Sequence, residues 1–232
     1  MLRVIAIDGP AASGKSSTAQ AVARRLGWAH LDSGALYRAL TLAALDNLGE
    51  GGMGEGEGWT AQRIVALAEE LPVRLVLVGD VFRPTVAGVD VGKAIRAERV
   101  TARVSEVAAM PEVRNWVNAQ QRRHAMQHPV GVVVDGRDIG TVVFPDSPLK
   151  VFLTATPDER ARRRLAQRGK GLDPARVRRE GEALAARDEA DSRRAVAPLR
   201  AAPDAVRLDT TGLTLEQQVE RIVALARTRF PG

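Results

Sequence analysis

The segment "IDGPAASGKS", residues 7–16, decides how the rest of this sequence is interpreted. Its glycines, lysine and serine occupy the fixed positions of the pattern G-x-x-x-x-G-K-[ST]: Gly9, Gly14, Lys15 and Ser16. The apolar run "LRVIAID", residues 2–8, precedes the motif, and a helix-period segment over residues 15–26 follows it. A strand, a glycine-bounded loop and a helix are the context that this motif requires. The segment therefore predicts a phosphate-binding loop after a buried strand.

The backbone and the lysine of this loop suit a triphosphate. Glycines let successive N–H groups point inward, the start of the helix adds its positive dipole end, and the ammonium group bridges the outer phosphates. Ser16 or Ser17 supplies a hydroxyl to Mg²⁺, and Asp135, after a second apolar run, is placed like an acidic residue that holds the metal's water shell. We assign the metal to Ser16 and Asp135 and the nucleotide to nine residues: Gly9, Pro10, Ala11, Ala12, Ser13, Gly14, Lys15, Ser16 and Ser17.

Composition excludes several other classes of protein. The chain has 232 residues, 45% of them hydrophobic, and its apolar runs are far shorter than the 18 or so residues of a membrane span. Met1 leads directly into a strand-like run without a signal-peptide pattern, so we expect a cytoplasmic protein without a membrane partner. There is no cysteine, and His30, His124 and His128 are too scattered for a zinc site, which makes them surface or satisfied histidines.

The positive charge of the chain allows two interpretations. The formal net charge is +6, and of 34 lysines and arginines only four are lysines. A nucleic-acid-binding ATPase would explain this charge, but the sequence lacks a concentrated basic stripe, and aromatic residues make up only 3% of the chain. Arginine's planar guanidinium also suits the phosphate of a small ligand. We expect a monomer that binds small molecules and no nucleic acid.

The order of apolar runs and helix-period segments predicts an α/β fold with a parallel sheet. Further strands are predicted over residues 130–135, 149–155 and 205–210. Helices are predicted over residues 15–26, 34–46, 61–70, 100–109, 111–128, 157–167, 174–189 and 214–229. Residues 73–91 indicate short antiparallel strands of an inserted lobe, and the glycine-rich residues 47–58 indicate a flexible loop.

Three more segments concentrate charge near predicted strand ends: "LDSGALYR" (residues 31–38), "DGRDIGTVVFPD" (135–146) and "ARDEADSRRAVAPL" (186–199). With the phosphate loop they resemble the bacterial cytidylate kinase family over almost the whole chain. The resemblance implies the nucleoside monophosphate kinase fold, with a five-stranded parallel sheet, a small inserted lobe with short antiparallel strands and a helical lid. It implies one domain, residues 1–232, divided into a core (1–60, 129–156 and 195–232), a monophosphate-binding lobe (61–128) and a lid (157–194).

The resemblance also implies roles for individual residues. The acceptor phosphate is held by Arg38, Arg137 and Arg194; Ser33, Ser105, Arg114 and Asp138 surround the cytosine; Arg187 and Asp191 reach the ribose; Tyr37 lines the cleft. Lid arginines Arg160 and Arg164 close over ATP and, with Lys15, Arg137 and Arg194, form the catalytic set. Two of these roles have plainer alternatives, because Arg137 or Arg114 can pair with Asp138, and Arg187 and Asp191 can form an ion pair within one helix.

The expected reaction moves the γ-phosphoryl group of MgATP onto CMP and dCMP. An acceptor phosphate is already anionic near neutral pH, so it needs charge neutralisation and alignment rather than a general base. Arginines are therefore the expected catalytic groups. The nearest alternative is another small kinase with the same loop, acting on thymidylate, uridylate or shikimate. The sequence departs from many family members by a serine after Lys15, which leaves the choice between Ser16 and Ser17 open.

Overall fold

The computed structural model describes residues 2–49 and 58–231. The chain forms two compact units: Met1–His30 with Pro129–Gly232, the first unit, and Leu31–His128, the second unit. Most of the predicted loop over residues 47–58 lies outside the described residues, but its first two residues, Asn47 and Leu48, are helical. None of the helices in the described part of the chain is long and apolar enough to cross a lipid bilayer.

The first unit is a sheet with helices. Its elements are β1 (Val4–Asp8), α1 (Lys15–Leu26), the start of β2 (Ala29–Asp32), β6 (Val132–Gly136), a π-helical turn (Ile139–Val143), β7 (Leu149–Thr154), α6 (Pro157–Gln167), α7 (Pro174–Ser192), β8 (Val206–Asp209) and α8 (Leu215–Arg229). The strand order is β2-β6-β1-β7-β8. β1 pairs in parallel with β6 and β7, and β7 pairs in parallel with β8. The predicted α/β class is confirmed, and these are the five strands of the expected parallel sheet.

The apolar runs form strands because both faces of the sheet are covered. All five residues of β1 and all five of β6 are buried. Ile5 and Ile7 of β1 pack in one cluster with Val22 of α1 and Ile222 of α8. This packing holds the carboxyl end of β1, from which the phosphate loop leads into α1.

The second unit combines helices with an antiparallel meander. Its elements are α2 (Ser33–Leu48), α3 (Ala61–Glu70), β3 (Val73–Val78), β4 (Val81–Val86), β5 (Val89–Asp90), a 3₁₀ turn (Ala94–Arg96), α4 (Glu98–Val107) and α5 (Pro111–Gln127). β3 pairs antiparallel with β4, and β4 with β5, so the predicted meander is confirmed. α2 is buried over most of its length. These three strands are the short antiparallel strands expected in the inserted lobe, in addition to the five strands of the first unit.

Candidate active site

The phosphate loop takes its shape from the two glycines of its motif. A Cβ atom on Gly9 would lie 2.2 Å from the carbonyl oxygen of Leu153 in β7, so the sheet leaves no room for a side chain there. Gly14, directly before α1, has φ of 92° and ψ of 1°, a left-handed conformation that glycine adopts without strain. α1 therefore begins at Lys15 with its amino end toward the loop, as an anion-binding loop requires.

Lys15 lies beneath this loop rather than in solvent. Its side chain is buried, and Nζ donates to the carbonyl oxygen of Pro10 at 2.7 Å and approaches Ser13 Oγ at 3.5 Å. Burial, followed by the nearby positive charge of Arg137, lowers the pKa of Lys15 to about 7. Bound phosphates would raise the pKa of this amine again, because opposite charge favours the protonated form.

Asp135 is held by a serine of the loop and by a histidine. Ser16 Oγ donates to Asp135 Oδ2 at 2.6 Å, and His30 Nε2 lies 2.7 Å from Asp135 Oδ1. Burial alone would raise the pKa of Asp135, but hydrogen bonds from His30 and Ser16 outweigh it and lower the pKa. His30 is buried with Asp135 as its partner through Nε2, and its place beside the candidate metal site was not foreseen. A sequence separation of 105 residues offered no signal for this contact.

Asp8, at the end of β1, supports the segment that follows β6. Its two carboxylate oxygens accept the backbone N–H groups of Ile139 and Gly140 at 2.9 and 2.8 Å. These residues begin the π-helical turn directly after Arg137 and Asp138. Asp8 therefore connects the strand before the phosphate loop with the segment that carries two predicted acceptor-binding residues.

Replacing Asp8 with asparagine should change the pH dependence of stability. Burial raises the pKa of Asp8 to about 6, against the opposing effect of the N–H donors of Gly140 and Ile139. Because the folded pKa exceeds the unfolded value of about 3.9, the stabilisation is present at low pH and is lost as the pH rises through 6. Between pH 5 and 7 the wild type should lose on the order of 1 kcal/mol relative to Asp8→Asn.

Urea unfolding of both proteins at the two pH values measures this difference. Asp80→Asn, at an exposed turn residue, is the matched control, and it should leave the pH profile of the wild type unchanged. Parallel profiles for the wild type and Asp8→Asn would contradict the prediction.

Asp191, in α7, joins two of the predicted phosphate-binding arginines. Arg137 Nε donates to Asp191 Oδ2 at 3.0 Å, and Arg194 Nη2 donates to Asp191 Oδ1 at 2.5 Å. The carboxylate is 2% exposed. The alternative of an ion pair between Arg187 and Asp191 is wrong for the described residues, in which Arg187 makes no ion pair and its Nε has no hydrogen-bond partner.

The lid arginines have different surroundings. Arg160 is buried, donates to the carbonyl oxygen of Ala11 at 3.1 Å and forms an ion pair with Asp188. Arg164 donates to Gln167 on the same helix, in an exposed position. Arg163, which we did not select from the sequence, donates to the carbonyl oxygens of Ser13 at 3.4 Å and Thr210 at 2.7 Å. Arg160 and Arg163 thus contact the phosphate loop.

The predicted residues of the second unit form a group of their own. Arg38 donates to the carbonyl oxygen of Ile95 at 3.2 Å and to Thr101 Oγ1 at 3.0 Å. The Arg114 guanidinium carbon lies 5.5 Å from the centre of the Tyr37 ring. Gln121, another residue missed in the sequence, is fully buried, and its side-chain amide donates to the Ser33 carbonyl oxygen at 3.2 Å. Ser105 lies half-buried in α4.

Comparison with known proteins gives a consistent result. The family model described as cytidylate kinase matches residues 5–228. A protein named cytidylate kinase from Azotobacter vinelandii (strain DJ) is 51% identical over 225 residues, which cover 95% of this chain and 93% of that protein. One of the same name from Pseudomonas fluorescens (strain SBW25) is 45% identical over the same shares. The crystal structure of TT1252 from Thermus thermophilus is 22% identical, covers 99% of this chain and 98% of its own, and has a TM-score of 0.46.

Proposed function

The chain belongs to the cytidylate kinase family, and we propose that its first unit binds ATP and carries two of the three arginines that hold the acceptor phosphate, Arg137 and Arg194. The chain is a kinase that transfers a phosphoryl group from ATP to CMP, the reaction of its family. We extend the reaction to dCMP. The family match decides against the thymidylate, uridylate and shikimate kinases as alternatives.

One observation carries this proposal: a buried carboxylate holds two arginines within the unit that contains the phosphate loop. Asp191 bonds to Arg137 and Arg194, and Arg137 lies near enough to Lys15 to lower its pKa. Positive groups for a donor and for an acceptor therefore belong to one packed unit. Neutralising and aligning two polyanions is the main task in phosphoryl transfer, so these residues need no proton-abstracting partner.

We propose that Mg²⁺ accompanies ATP at Ser16 and Asp135. Hydroxyl and carboxylate oxygens are the hard ligands that Mg²⁺ prefers, and the bond between Ser16 and Asp135 keeps the two side chains together. When bound, Mg²⁺ neutralises charge on the phosphates. His30 orients the carboxylate from its other oxygen. Ser16 is favoured over Ser17 because it is the serine that bonds to Asp135.

The acceptor residues keep the roles that the family resemblance implies. We propose that Arg38, Arg137 and Arg194 bind the phosphate of CMP, and that Arg187 and Asp191 contact its ribose. We further propose that Tyr37 lines the cleft and that four residues surround the base: Ser33, Ser105, Arg114 and Asp138. Arg38 is buried and donates to the Ile95 carbonyl oxygen and to Thr101 Oγ1, which supports a binding role because these contacts hold its guanidinium in one position.

Asp138→Ala should lower activity with CMP more than activity with UMP. Cytosine presents an amino donor at the position where uracil presents a carbonyl acceptor, so a carboxylate favours the first base and repels the second. Asp138 is buried. The preference for CMP, as the ratio of kcat/KM values, should fall by about 1 to 3 kcal/mol, or roughly 5- to 150-fold. Asp146→Ala, an exposed residue of the same segment, is the control. Equal losses with both nucleotides would contradict a role in reading the base.

We propose that residues 157–194 act as the lid, residues 61–128 as the monophosphate-binding lobe and the remaining residues as the core. Helices α6 and α7 make up most of the proposed lid. Closure of such a segment excludes water from the reacting phosphates. We also propose a cytoplasmic monomer without a nucleic-acid partner, whose ATP turnover polynucleotide does not stimulate.

The function is tested by coupled ADP release with MgATP and a panel of nucleoside monophosphates. CMP and dCMP should be the preferred acceptors, and cytidine diphosphate should accumulate in step with ADP. Adding polynucleotide without a monophosphate should release no ADP. ADP release that depends on polynucleotide, or no cytidine diphosphate, would overturn the proposal.

A further inference from the structure

Ala11 of the phosphate loop is held on both sides of its backbone by the pair of helices α6 and α7. Its N–H donates to Asp188 Oδ1 in α7 at 2.9 Å. Its carbonyl oxygen accepts Arg160 Nη1 from α6 at 3.1 Å. The methyl group of Ala11 belongs to an apolar cluster with Ala161, Leu165, Val177 and Leu184 of the same helices. One loop residue is thus fixed by three kinds of contact.

The two groups that hold Ala11 also hold each other. Asp188 Oδ2 forms an ion pair with Arg160, and the side chains of Arg160 and Asp188 are only 9% and 15% exposed. The Nε atom of Arg160 is buried and has no hydrogen-bond partner among the described residues. Loss of Asp188 would leave the Arg160 guanidinium buried with one carbonyl oxygen as its partner, which is unfavourable for a charged group.

The backbone conformation of the phosphate loop depends on these contacts with α6 and α7. Ala12, the next residue, has φ of 58°, a left-handed conformation that is uncommon for a residue with a side chain. Such a conformation persists when the surrounding structure imposes it. Asp188 fixes the Pro10–Ala11 peptide through its N–H group, and Arg160 fixes the Ala11–Ala12 peptide through its carbonyl oxygen, so the ion pair of Asp188 and Arg160 helps to set the direction of the N–H groups that follow.

We propose that Asp188 is a positioning residue of the ATP site, which acts through the Ala11 N–H group and through Arg160. This proposal rests on the proposed assignment of ATP to the phosphate loop and Arg160. Asp188 itself touches no substrate in this proposal. Its loss should therefore weaken the binding of ATP and leave the binding of CMP unchanged, because the side chain of Asp188 bonds to the loop and to Arg160 and, among the described residues, to no side chain of the proposed acceptor site.

Two substitutions separate the two contacts of Asp188. Asp188→Asn keeps an oxygen for the Ala11 N–H group but removes the charge that pairs with Arg160, whereas Asp188→Ala removes both. Glu189→Gln is the matched control, because Glu189 is the next residue of α7, is exposed and pairs only with the exposed Arg193 in the described structure. All three variants remove one negative charge from the same helix.

The experiment measures equilibrium binding of ATP alone and of CMP alone to the full chain by calorimetry. The dissociation constant for ATP should rise roughly 10-fold in Asp188→Asn and further in Asp188→Ala, while that for CMP stays within about two-fold. KM for ATP should rise in parallel. Amide exchange at Ala11 should accelerate in Asp188→Ala but not in the Glu189→Gln control. A residue that only stabilised the fold would not produce this difference between the two nucleotides.

Several results would overturn the proposal. They are an unchanged affinity for ATP in Asp188→Ala, equal weakening for ATP and CMP, and tighter binding of ATP, which would make Asp188 a competitor of the nucleotide. Loss of folding in both variants would also overturn it, because Asp188 would then be a residue of the fold and not of the site. Failure of the proposed ATP site can be distinguished from failure of the role of Asp188. In that case substitutions of Lys15 or Arg160 would leave the affinity for ATP at the wild-type value.

Discussion

Lys15→Ala should lower kcat by on the order of 100- to 1,000-fold, the effect of removing a preorganised group that neutralises charge in the transition state. The amine is buried under the phosphate loop and bonds to the Pro10 carbonyl oxygen. Water reaches a buried position poorly, so the charge is not replaced by solvent in the variant. Affinity for ATP should fall as well, because the ammonium group interacts with the outer phosphates in the ground state.

Steady-state rates at saturating CMP, with ATP binding measured separately, divide the loss between binding and chemistry. Lys93→Ala, at an exposed lysine, should retain full activity. Lys15→Arg preserves the charge but brings a planar, five-donor group into a site shaped for a compact amine, and it should recover little. Activity of Lys15→Ala within 10-fold of the wild type would contradict the assignment.

Asp191→Ala should lower kcat/KM for CMP by on the order of 100- to 1,000-fold. The variant leaves Arg137 and Arg194 without the carboxylate that both of them contact. Truncating one partner of a buried, hydrogen-bonded charge pair in a binding site costs about 2 to 5 kcal/mol of binding free energy, and each 1.4 kcal/mol corresponds to a factor of ten. Both arginines are proposed to hold the acceptor phosphate, so the loss should affect the acceptor more than ATP.

The comparison of CMP with dCMP separates the two functions proposed for Asp191. The loss shared by both nucleotides measures the arginine pairs, and an excess loss with CMP measures contact with the ribose hydroxyl. Asp191→Asn, which keeps the shape of the side chain, serves if the alanine variant unfolds, and Glu182→Gln is an exposed control on the same helix. A loss below 10-fold, with the folded state intact, would contradict this role.

The elements around the phosphate loop were predictable because their signals are local. The continuous apolar run before Gly9 predicts a buried strand, and β1 is buried at every residue. Thr156 with Pro157, and Asp173 with Pro174, predict helix starts, and both caps bond to the third helical N–H. In each case the sequence signal lies in residues within a few positions of one another.

β2 and the π-helical turn were not predicted, since nothing local distinguishes them. β2 is four residues, "AHLD", with two polar side chains, and His30 is buried because it bonds to Asp135. The π-helical turn is stabilised by Asp8, which lies 131 residues before it. Their signals lie in distant parts of the chain.

The choice between carboxylates on α7 also depends on long-range contacts. Asp188 and Asp191 are three residues apart, and the resemblance singled out only Asp191. Asp188 contacts Ala11, 177 residues away, and Asp191 contacts Arg137, 54 residues away. Spacing along a helix shows that two side chains share a face, but it does not show what that face meets.

The two glycines of the phosphate loop are required for different reasons. At Gly9 the obstacle is volume, because the Cβ of an L-residue would meet a main-chain oxygen of the sheet, whereas at Gly14 the nearest atoms are 3.5 Å away and the obstacle is torsional. A mirror-image D-alanine at Gly14, for which positive φ is ordinary, would remove this torsional obstacle. Glycine is thus required at one end of the loop because an L side chain has no space there, and at the other end because the backbone is left-handed.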